Sequence, residues 1–170
     1  SKINSGPYMT QIKYLLLLFF FSTYIEAAED TVIGYWLASD SIIEIKYCDE
    51  LICGEIVHII VEEGENPKNI LDENNVSEDL RSRPLVGTNI LTGFKEGLNS
   101  KNELKGGKIY DPRIGKTFKA KLKLLDNGNI EVEGCILFIC DGEEWQPLLV
   151  TYNSDGTRNA TLKNIPEERK

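Results

Sequence analysis

The chain has 170 residues, of which 41% are hydrophobic and 27% are charged, and its formal net charge is −8. This length accommodates one domain with a substantial core, and the hydrophobic share excludes both a disordered chain and a bundle of membrane helices. A chain this acidic is a poor binder of nucleic acid and of anionic membrane surfaces, and we expect no nucleic-acid partner.

The first 28 residues have the layout of a secretory signal peptide. A short basic start at residues 9–13 precedes an unbroken apolar run at residues 14–21, and small residues follow at Ala27 and Ala28. The run is too short to span a bilayer as a helix. We therefore expect a signal peptide at about residues 9–28, a periplasmic or secreted protein, and no integral membrane segment after cleavage.

Three strands are predicted next, at residues 31–38, 42–48 and 53–61. In the second strand apolar and polar side chains alternate, which gives it a buried face and a solvent-exposed face. The short connection at residues 49–52 joins the second and third strands as a hairpin.

The chemistry of the side chains favours one register for this hairpin. Pairing Cys48 with Cys53 also places Lys46 opposite Glu55, an attractive cross-strand pair. The same register directs His58, the only histidine, toward the core. A lone His among apolar residues is more often a hydrogen-bonded core residue than a catalyst or a ligand.

The strand pattern stops in a long excursion at residues 62–84, where turn-forming and acidic residues dominate. Loops of this length in compact domains are usually functional or disordered, so the excursion is the first place to look for a site. Residues 77–80 are suited to cap one or two helical turns. The acids and amides at residues 72–75 lack the glycine and the distal glutamate of a calcium-binding EF-hand loop, so no metal is expected.

The candidate ligand-binding residues are Arg81, Arg83, Tyr110 and Asp111. Two arginines could bind a carboxylate or a phosphate of a ligand, because guanidinium groups bind such groups in bidentate fashion. They could also pair with acids of this chain. A bidentate Arg83–Asp111 ion pair, tying the excursion to the turn predicted at residues 111–115, is the structural alternative and would account for all four residues.

Two further strands are predicted after the excursion, at residues 85–94 and 108–110, with a polar connection at residues 95–105 between them. Either Gly87 or Gly93 is expected to mark a β-bulge in the first of these strands.

The clearest hairpin joins residues 117–124, which alternate strictly, to residues 130–133, which alternate again. A three-residue loop pairs Leu124 with Ile130 and places Gly128 at the left-handed position that such loops need. The same register pairs Leu122 with Val132, Lys123 with Glu131 and Lys121 with Glu133.

The end of the chain is predicted as an apolar strand at residues 135–140, a turn at residues 141–144, and a last strand at residues 145–152. About eight short strands with almost no helical periodicity predict an all-β fold, an antiparallel meander that closes into a small barrel. The predicted organisation is therefore an upstream and signal segment at residues 1–28, one barrel domain at residues 29–152, and a loose polar tail at residues 153–170.

The four cysteines form two close pairs, Cys48 with Cys53 and Cys135 with Cys140. Four cysteines allow three disulfide connectivities, and the hairpin register favours the local pairing for the first pair. The second local bridge requires residues 135–140 to bend, because an odd separation along a straight strand puts two side chains on opposite faces. The spacings argue against a zinc site.

No catalytic motif was found in the sequence: a Gly-x-Ser-x-Gly elbow, a His-Glu-x-x-His pair and a phosphate-binding loop are all missing. The sequence therefore predicts a protein that is not an enzyme and needs no cofactor.

Several motifs occur in the order that is typical of one protein family: Gly34-x-Trp36, Cys48…Cys53-Gly54, Arg81-x-Arg83-Pro84, Tyr110-Asp111-Pro112 and Gly134-Cys135…Cys140. Over about residues 33–147 the chain resembles a family of exported bacterial proteins known as domain of unknown function 2147. The resemblance implies export, a small lipocalin-like β fold and a bacterial envelope or periplasmic setting. It implies no activity, because the family has none assigned.

These observations lead us to expect an exported, non-enzymatic β-barrel that binds a small or lipid-like ligand. The alternative is an envelope interaction protein that acts through the surface of the excursion at residues 62–84, with a partner that the sequence does not identify. A barrel of eight strands can also be filled by its own side chains. A ligand inside the barrel would need a cavity of roughly 300 Å³ or more.

Overall fold

The computed structural model describes residues 31–96 and 102–163. The signal peptide predicted at about residues 9–28 lies outside this part of the chain. None of the helices in the described part is long and apolar enough to cross a membrane.

Nine antiparallel strands form one sheet in chain order, and the sheet closes because β1 also pairs with β8. The first eight strands make the barrel, which confirms the predicted all-β meander and its closure. The strands are β1 (Gly34–Ala38), β2 (Ser41–Cys48), β3 (Leu51–Ile59), β4 (Asn89–Phe94), β5 (Glu103–Asp111), β6 (Lys116–Leu124), β7 (Ile130–Ile136), β8 (Ile139–Tyr152) and β9 (Arg158–Leu162). Two short 3-10 helices, Pro67–Asn69 and Glu78–Leu80, lie in the excursion.

The β6–β7 hairpin has the predicted register. Leu124 lies opposite Ile130 and Lys121 lies opposite Glu133, and the two charged side chains form an ion pair of 2.5 Å. Gly128 has φ 84°, the left-handed conformation that the loop requires.

The predicted register of the β2–β3 hairpin is wrong by two residues. Cys48 lies opposite Leu51, and Lys46 lies opposite Cys53. The chain reverses in only two residues, beginning with Asp49 at φ 57°, a left-handed conformation that Asp tolerates. The predicted disulfide between Cys48 and Cys53 nevertheless forms, because the two residues are diagonal neighbours on one face.

The predicted inward position of His58 is also wrong. Ile43 lies opposite Ile56 but Ile42 lies opposite His58, so Val57 is an extra residue in β3. A bulge of one residue reverses which side chains face the core. His58 therefore lies on the outer face, exposed to solvent.

The turn predicted at residues 141–144 is wrong as well. The chain turns at Leu137 and Phe138, and residues 141–144 belong to β8. Cys135 and Cys140 lie directly opposite each other across this turn and form the second disulfide. The bend that the second bridge requires is thus a β-hairpin.

The segment predicted as a polar connection and the segment predicted as a loose tail both contain strand residues. β5 begins at Glu103, within the predicted connection at residues 95–105. Gly106, at φ 80°, lies between Leu104 and Gly107, where the register of β5 against β6 shifts. The strand continues beyond this shift. β9 replaces part of the loose tail predicted from residue 153, because its backbone pairs with the second half of β8.

The interior of the barrel is filled by its own side chains. Trp36, Phe94 and Trp145 are 3%, 0% and 1% exposed. The ring of Phe94 packs so closely on Gly107 that a Cβ at position 107 would lie 2.5 Å from it. Seven aliphatic side chains of the described residues are also at most 2% exposed: Ile43, Ile45, Ile52, Leu91, Leu122, Ile130 and Val132. Two grooves among the described residues lie outside this tightly packed core, and they are the candidates for a ligand site.

Candidate functional site

The excursion between β3 and β4 is pinned at its base by backbone pairing. Leu71 and Pro84 form an isolated β-bridge. The backbone N–H of Asp72 donates to the carbonyl of Arg83 at 3.0 Å, and that of Leu85 donates to the carbonyl of Ile70 at 2.8 Å. The two ends of the excursion are thereby held together, which presents the intervening residues as one ordered unit.

A buried carboxylate organises this unit. Asp72 is 0% exposed. Its Oδ1 accepts a hydrogen bond from the hydroxyl of Tyr110 at 2.5 Å, and its Oδ2 accepts one from the amide of Asn75 at 2.7 Å. The guanidinium of Arg83 donates to Oδ2 through Nε at 2.9 Å and through Nη2 at 2.8 Å. We call these four residues the Asp72 cluster.

The electrostatics of the cluster favour the ionised carboxylate. Burial alone would raise the pKa of Asp72, but hydrogen bonds from Tyr110, Asn75 and Arg83 outweigh it and hold the pKa below its ordinary value. Burial, together with the neighbouring Asp72 carboxylate, raises the pKa of Tyr110, so its hydroxyl keeps the proton that it donates. The cluster is a fully hydrogen-bonded buried charge, which ties the excursion to β5.

Of the four candidate ligand-binding residues, the structure brings Arg83 and Tyr110 together. Arg81 lies beside them, where its Nε donates to the carbonyl of Asn75 at 2.8 Å. Asp111 is on the opposite face of β5 from Tyr110, because neighbouring residues in a strand point to opposite sides. Arg81, Arg83 and Tyr110 are therefore neighbours, whereas Asp111 lies apart from them.

The predicted Arg83–Asp111 ion pair is wrong. Arg83 pairs with Asp72, and Asp111 pairs with Arg113 at 2.8 Å. The carboxylate of Asp111 also accepts the backbone N–H of Arg113 at 2.9 Å, as an Asp at the start of a turn commonly does. Arg83 still joins the excursion to the barrel, through a different acid.

A second contact joins the excursion to the β5–β6 turn. The amide of Asn74 donates to the carbonyl of Arg113 at 3.0 Å. Gly115, at φ 65°, lies so close to Asn74 that a Cβ there would overlap its carbonyl oxygen. The excursion therefore rests against the barrel at two places, the Asp72 cluster and this turn.

Between the excursion and the outer faces of β4, β5 and β6 lies a groove of about 380 Å³, which we call the outer-wall groove. Val76, Leu80 and Ile90 supply its apolar surface, and among the described residues that line it Arg83 is the charged one. The remaining lining residues are Asn75, Ser77, Asn89, Thr92, Tyr110, Gly115 and Thr117. Three of the eleven described lining residues are aliphatic, so the groove offers a small apolar surface beside several polar groups that could fix the orientation of a ligand.

A second groove, of about 290 Å³, lies between the β2–β3 hairpin and the β8–β9 hairpin and contains His58. At its edge Tyr35 and Tyr152 are hydrogen-bonded through their hydroxyls at 2.7 Å. Burial and the hydrogen bonds with Tyr152 and Glu44 raise the pKa of Tyr35, so its phenol stays protonated at neutral pH. In the part of the chain that the structure describes, no carboxylate is hydrogen-bonded to His58 to orient it as a general base.

One group of potential metal ligands occurs among the described residues: Glu133, Cys135 and Cys140 place three ligand atoms within 4.8 Å of one another. The two sulfur atoms are joined in a disulfide, whereas a metal ligand must be a thiolate. This group is therefore unsuited to metal binding while the bridge is intact.

The sequence analysis did not include Asp72 and Asn75, the two central members of the cluster, in the candidate site. It considered them only as possible calcium ligands and expected no metal there. Their spacing of three residues is typical of a polar turn, and the structure has such a turn, in which the N–H of Asn75 donates to the carbonyl of Asp72 at 3.0 Å. Tyr110 was a candidate residue, but no local signal pairs it with Asp72, which lies 38 residues away in the chain.

We expect the free energy of unfolding to fall as the pH is lowered from about 5 to about 3. Because the pKa of Asp72 is depressed in the folded protein, its stabilisation is complete above the unfolded pKa and is lost as the pH falls through the folded pKa. The pKa of Asp111, lowered by Arg113, adds a loss of the same sign. Urea unfolding at both pH values should show a smaller loss in Asp72→Asn than in the wild type. Equal losses would contradict the role given to Asp72.

Comparisons with known proteins agree with this fold. A family model described as an uncharacterized protein conserved in bacteria (DUF2147) matches residues 34–147. No curated protein matches the chain. Among solved structures, protein HP1028 from Helicobacter pylori, described as belonging to the lipocalin family, is similar with a TM-score of 0.59 and 21% identity. The match covers 69% of this chain and 82% of that one, and at this identity it shows a common fold only.

Proposed function

This chain belongs to the DUF2147 family of uncharacterized proteins conserved in bacteria, and from that premise we propose that it is an exported, non-enzymatic protein that binds a small apolar ligand in the outer-wall groove. The observation that carries the proposal is the fixed wall of that groove. The Asp72 cluster holds the excursion against the barrel, so the groove exists before any ligand arrives. A preformed site avoids the entropic cost of ordering a loop on binding.

The lining of the groove indicates the chemistry of the ligand. Val76, Leu80 and Ile90 would contact an apolar body. Arg83 keeps 36% of its side chain exposed, and its contacts with Asp72 use Nε and Nη2, which leaves Nη1 without a hydrogen bond to the described residues 31–96 and 102–163. A carboxylate or another acceptor at one end of the ligand could accept from that nitrogen. The ligand class is therefore a small apolar molecule with one acceptor group.

Two features support export. Both pairs of cysteines form disulfides, and disulfides persist mainly in oxidising compartments such as the bacterial periplasm. The family is bacterial. Together with the signal peptide expected at about residues 9–28, they favour a periplasmic or secreted protein.

The proposal is tested by filling the groove. Thr92 projects from β4 into it, and we expect Thr92→Trp to weaken binding of the fluorescent probe anilinonaphthalene sulfonate by about tenfold or more, because an indole would occupy the apolar space. This probe carries apolar rings and one anionic group, which match the lining. Fluorescence titration measures the affinity, and thermal unfolding verifies that the variant is folded.

The matched control is Lys119→Trp, which adds the same indole at an exposed position of β6 outside the groove. This control should bind the probe as the wild type does. Equal binding by all three proteins, or no binding by the wild type, would contradict a site in the groove.

The second candidate function is interaction with an envelope protein through the outer surface of the excursion. It is favoured by Val76, whose side chain is 78% exposed and lies at the rim of the groove. The same experiment separates the two functions. A partner that contacts only the outside of the excursion would bind Thr92→Trp and the wild type equally, whereas a ligand inside the groove would be displaced.

A further inference from the structure

The turn between β7 and β8 exposes four consecutive large apolar side chains. Ile136, Leu137, Phe138 and Ile139 are 60%, 87%, 88% and 69% exposed. We call these residues the apolar tip. The tip is independent of the outer-wall groove, because none of its residues lines that groove.

Neither solvation nor turn chemistry explains the residues at this tip. Two-residue hairpin turns favour Gly, Asn and Asp, which are polar or lack a side chain and accept positive φ. Leu137 has φ 56°, a conformation that costs energy for a residue with a bulky side chain. The sequence therefore keeps apolar side chains at a position where a polar turn would fold more easily.

The base of the tip is rigid. Cys135 and Cys140 are joined by a disulfide directly below it, and the backbones of Ile136 and Ile139 are paired. Leu137 and Phe138 are thus presented at a fixed position instead of on a flexible loop.

We propose that the apolar tip inserts into the surface of a bilayer of zwitterionic phospholipids and anchors the protein there peripherally. Four side chains on a convex hairpin offer less surface than the roughly 800 Å² per partner that a standard protein interface buries, whereas a bilayer needs no complementary pocket. Both signs of charge flank the tip, with Lys119 opposite Cys135 and Asp141 opposite Gly134. Zwitterionic head groups can pair with both, while the net charge of −8 disfavours anionic lipids.

The test is flotation of the exported protein with phosphatidylcholine–phosphatidylethanolamine vesicles. The variant Leu137→Gly/Phe138→Ser removes the two most exposed side chains, and its glycine accepts the positive φ, so the hairpin should remain folded. We expect this variant to lower the partition coefficient by about tenfold or more, because transfer from water scales with the apolar area removed. Leu149→Ser is the matched control, because Leu149 is also an exposed apolar residue but lies in the part of β8 that pairs with β9.

The control should float as the wild type does, and added salt should change neither result. Phe138→Trp should show fluorescence quenching by brominated phospholipids, which reports insertion instead of adsorption. The proposal is overturned if the wild type does not float, if the double variant floats equally, or if binding requires anionic lipid. It is also overturned if the double substitution abolishes self-association in solution and leaves flotation unchanged, since a second copy would then be the occupant.

Discussion

Asp72→Ala is expected to lower the melting temperature by about 10 °C, corresponding to roughly 3 kcal/mol of unfolding free energy. The substitution removes the acceptor of four hydrogen bonds and leaves the Tyr110 hydroxyl proton without its acceptor, while the Asn75 amide keeps only its bond to the Tyr110 oxygen. Buried donors without an acceptor are costly, and so is an arginine that loses its ion pair. The partial exposure of Arg83 keeps the cost at the lower end, because water can solvate its outer edge.

Asp111→Ala is the control for this prediction. It also removes an aspartate that is paired with an arginine, but Arg113 has 80% of its side chain exposed. Exposed ion pairs contribute between 0 and about 1 kcal/mol, so the melting temperature should fall by only a few degrees. Thermal unfolding followed by circular dichroism compares the two variants. If Asp72→Ala is no more destabilising than Asp111→Ala, the cluster does not hold the excursion in place.

Phe94→Ala is expected to lower the free energy of unfolding by about 4 kcal/mol. Phe94 is 0% exposed and packs against Gly107 inside the barrel. Its removal loses the transfer free energy of a phenyl ring and leaves a cavity that β-strands in a closed barrel cannot collapse to fill. Urea denaturation of the variant and the wild type measures the difference.

Phe138→Ala deletes the same side chain from the apolar tip, where it is 88% exposed. Its effect on unfolding should stay within about 0.5 kcal/mol, because an exposed side chain loses little on truncation. A small effect of Phe94→Ala would contradict a filled interior and would reopen the inside of the barrel as a ligand site.

The parts of the fold that could be predicted were those where two local signals agreed. In the β6–β7 hairpin, the loop chemistry around Gly128 and the alternation of both strands require the same register, and the structure has it. In the β2–β3 hairpin, alternation and the chemistry of two cross-strand pairs were available, but no loop signal fixed the register. These signals could not indicate the extra residue at Val57 that moves His58 to the outside.

The β7–β8 turn shows a second reason why a prediction from the sequence was wrong. Asp141-Gly142 is a strong turn signal and Leu137-Phe138 is a poor one, yet the chain turns at the latter. The second disulfide already required a bend between Cys135 and Cys140, so the cysteine spacing was the better guide here. Sequence features that oppose local propensity, such as the apolar tip, are often found at functional positions.

The sequence identified the segments that form the candidate site, but it did not identify the contacts between their side chains. Arg83 and Tyr110 were identified, and the structure places them together. The acid between them is Asp72 and not Asp111, because alternation along β5 turns Asp111 away from the excursion. The contact of Asp72 with Tyr110 depends on how the excursion packs against β5, and a local sequence pattern does not specify such a long-range contact.

The central claim, that a ligand binds in the outer-wall groove and not inside the barrel, is tested most directly by methyl NMR during titration with anilinonaphthalene sulfonate. The account predicts shifts concentrated on the methyl groups of Val76, Leu80 and Ile90, which line the groove. The methyl groups of Leu122 and Val132, which lie buried in the core, should stay unchanged. Shifts of Leu122 and Val132 without shifts of the groove residues would contradict the account and place the ligand inside the barrel.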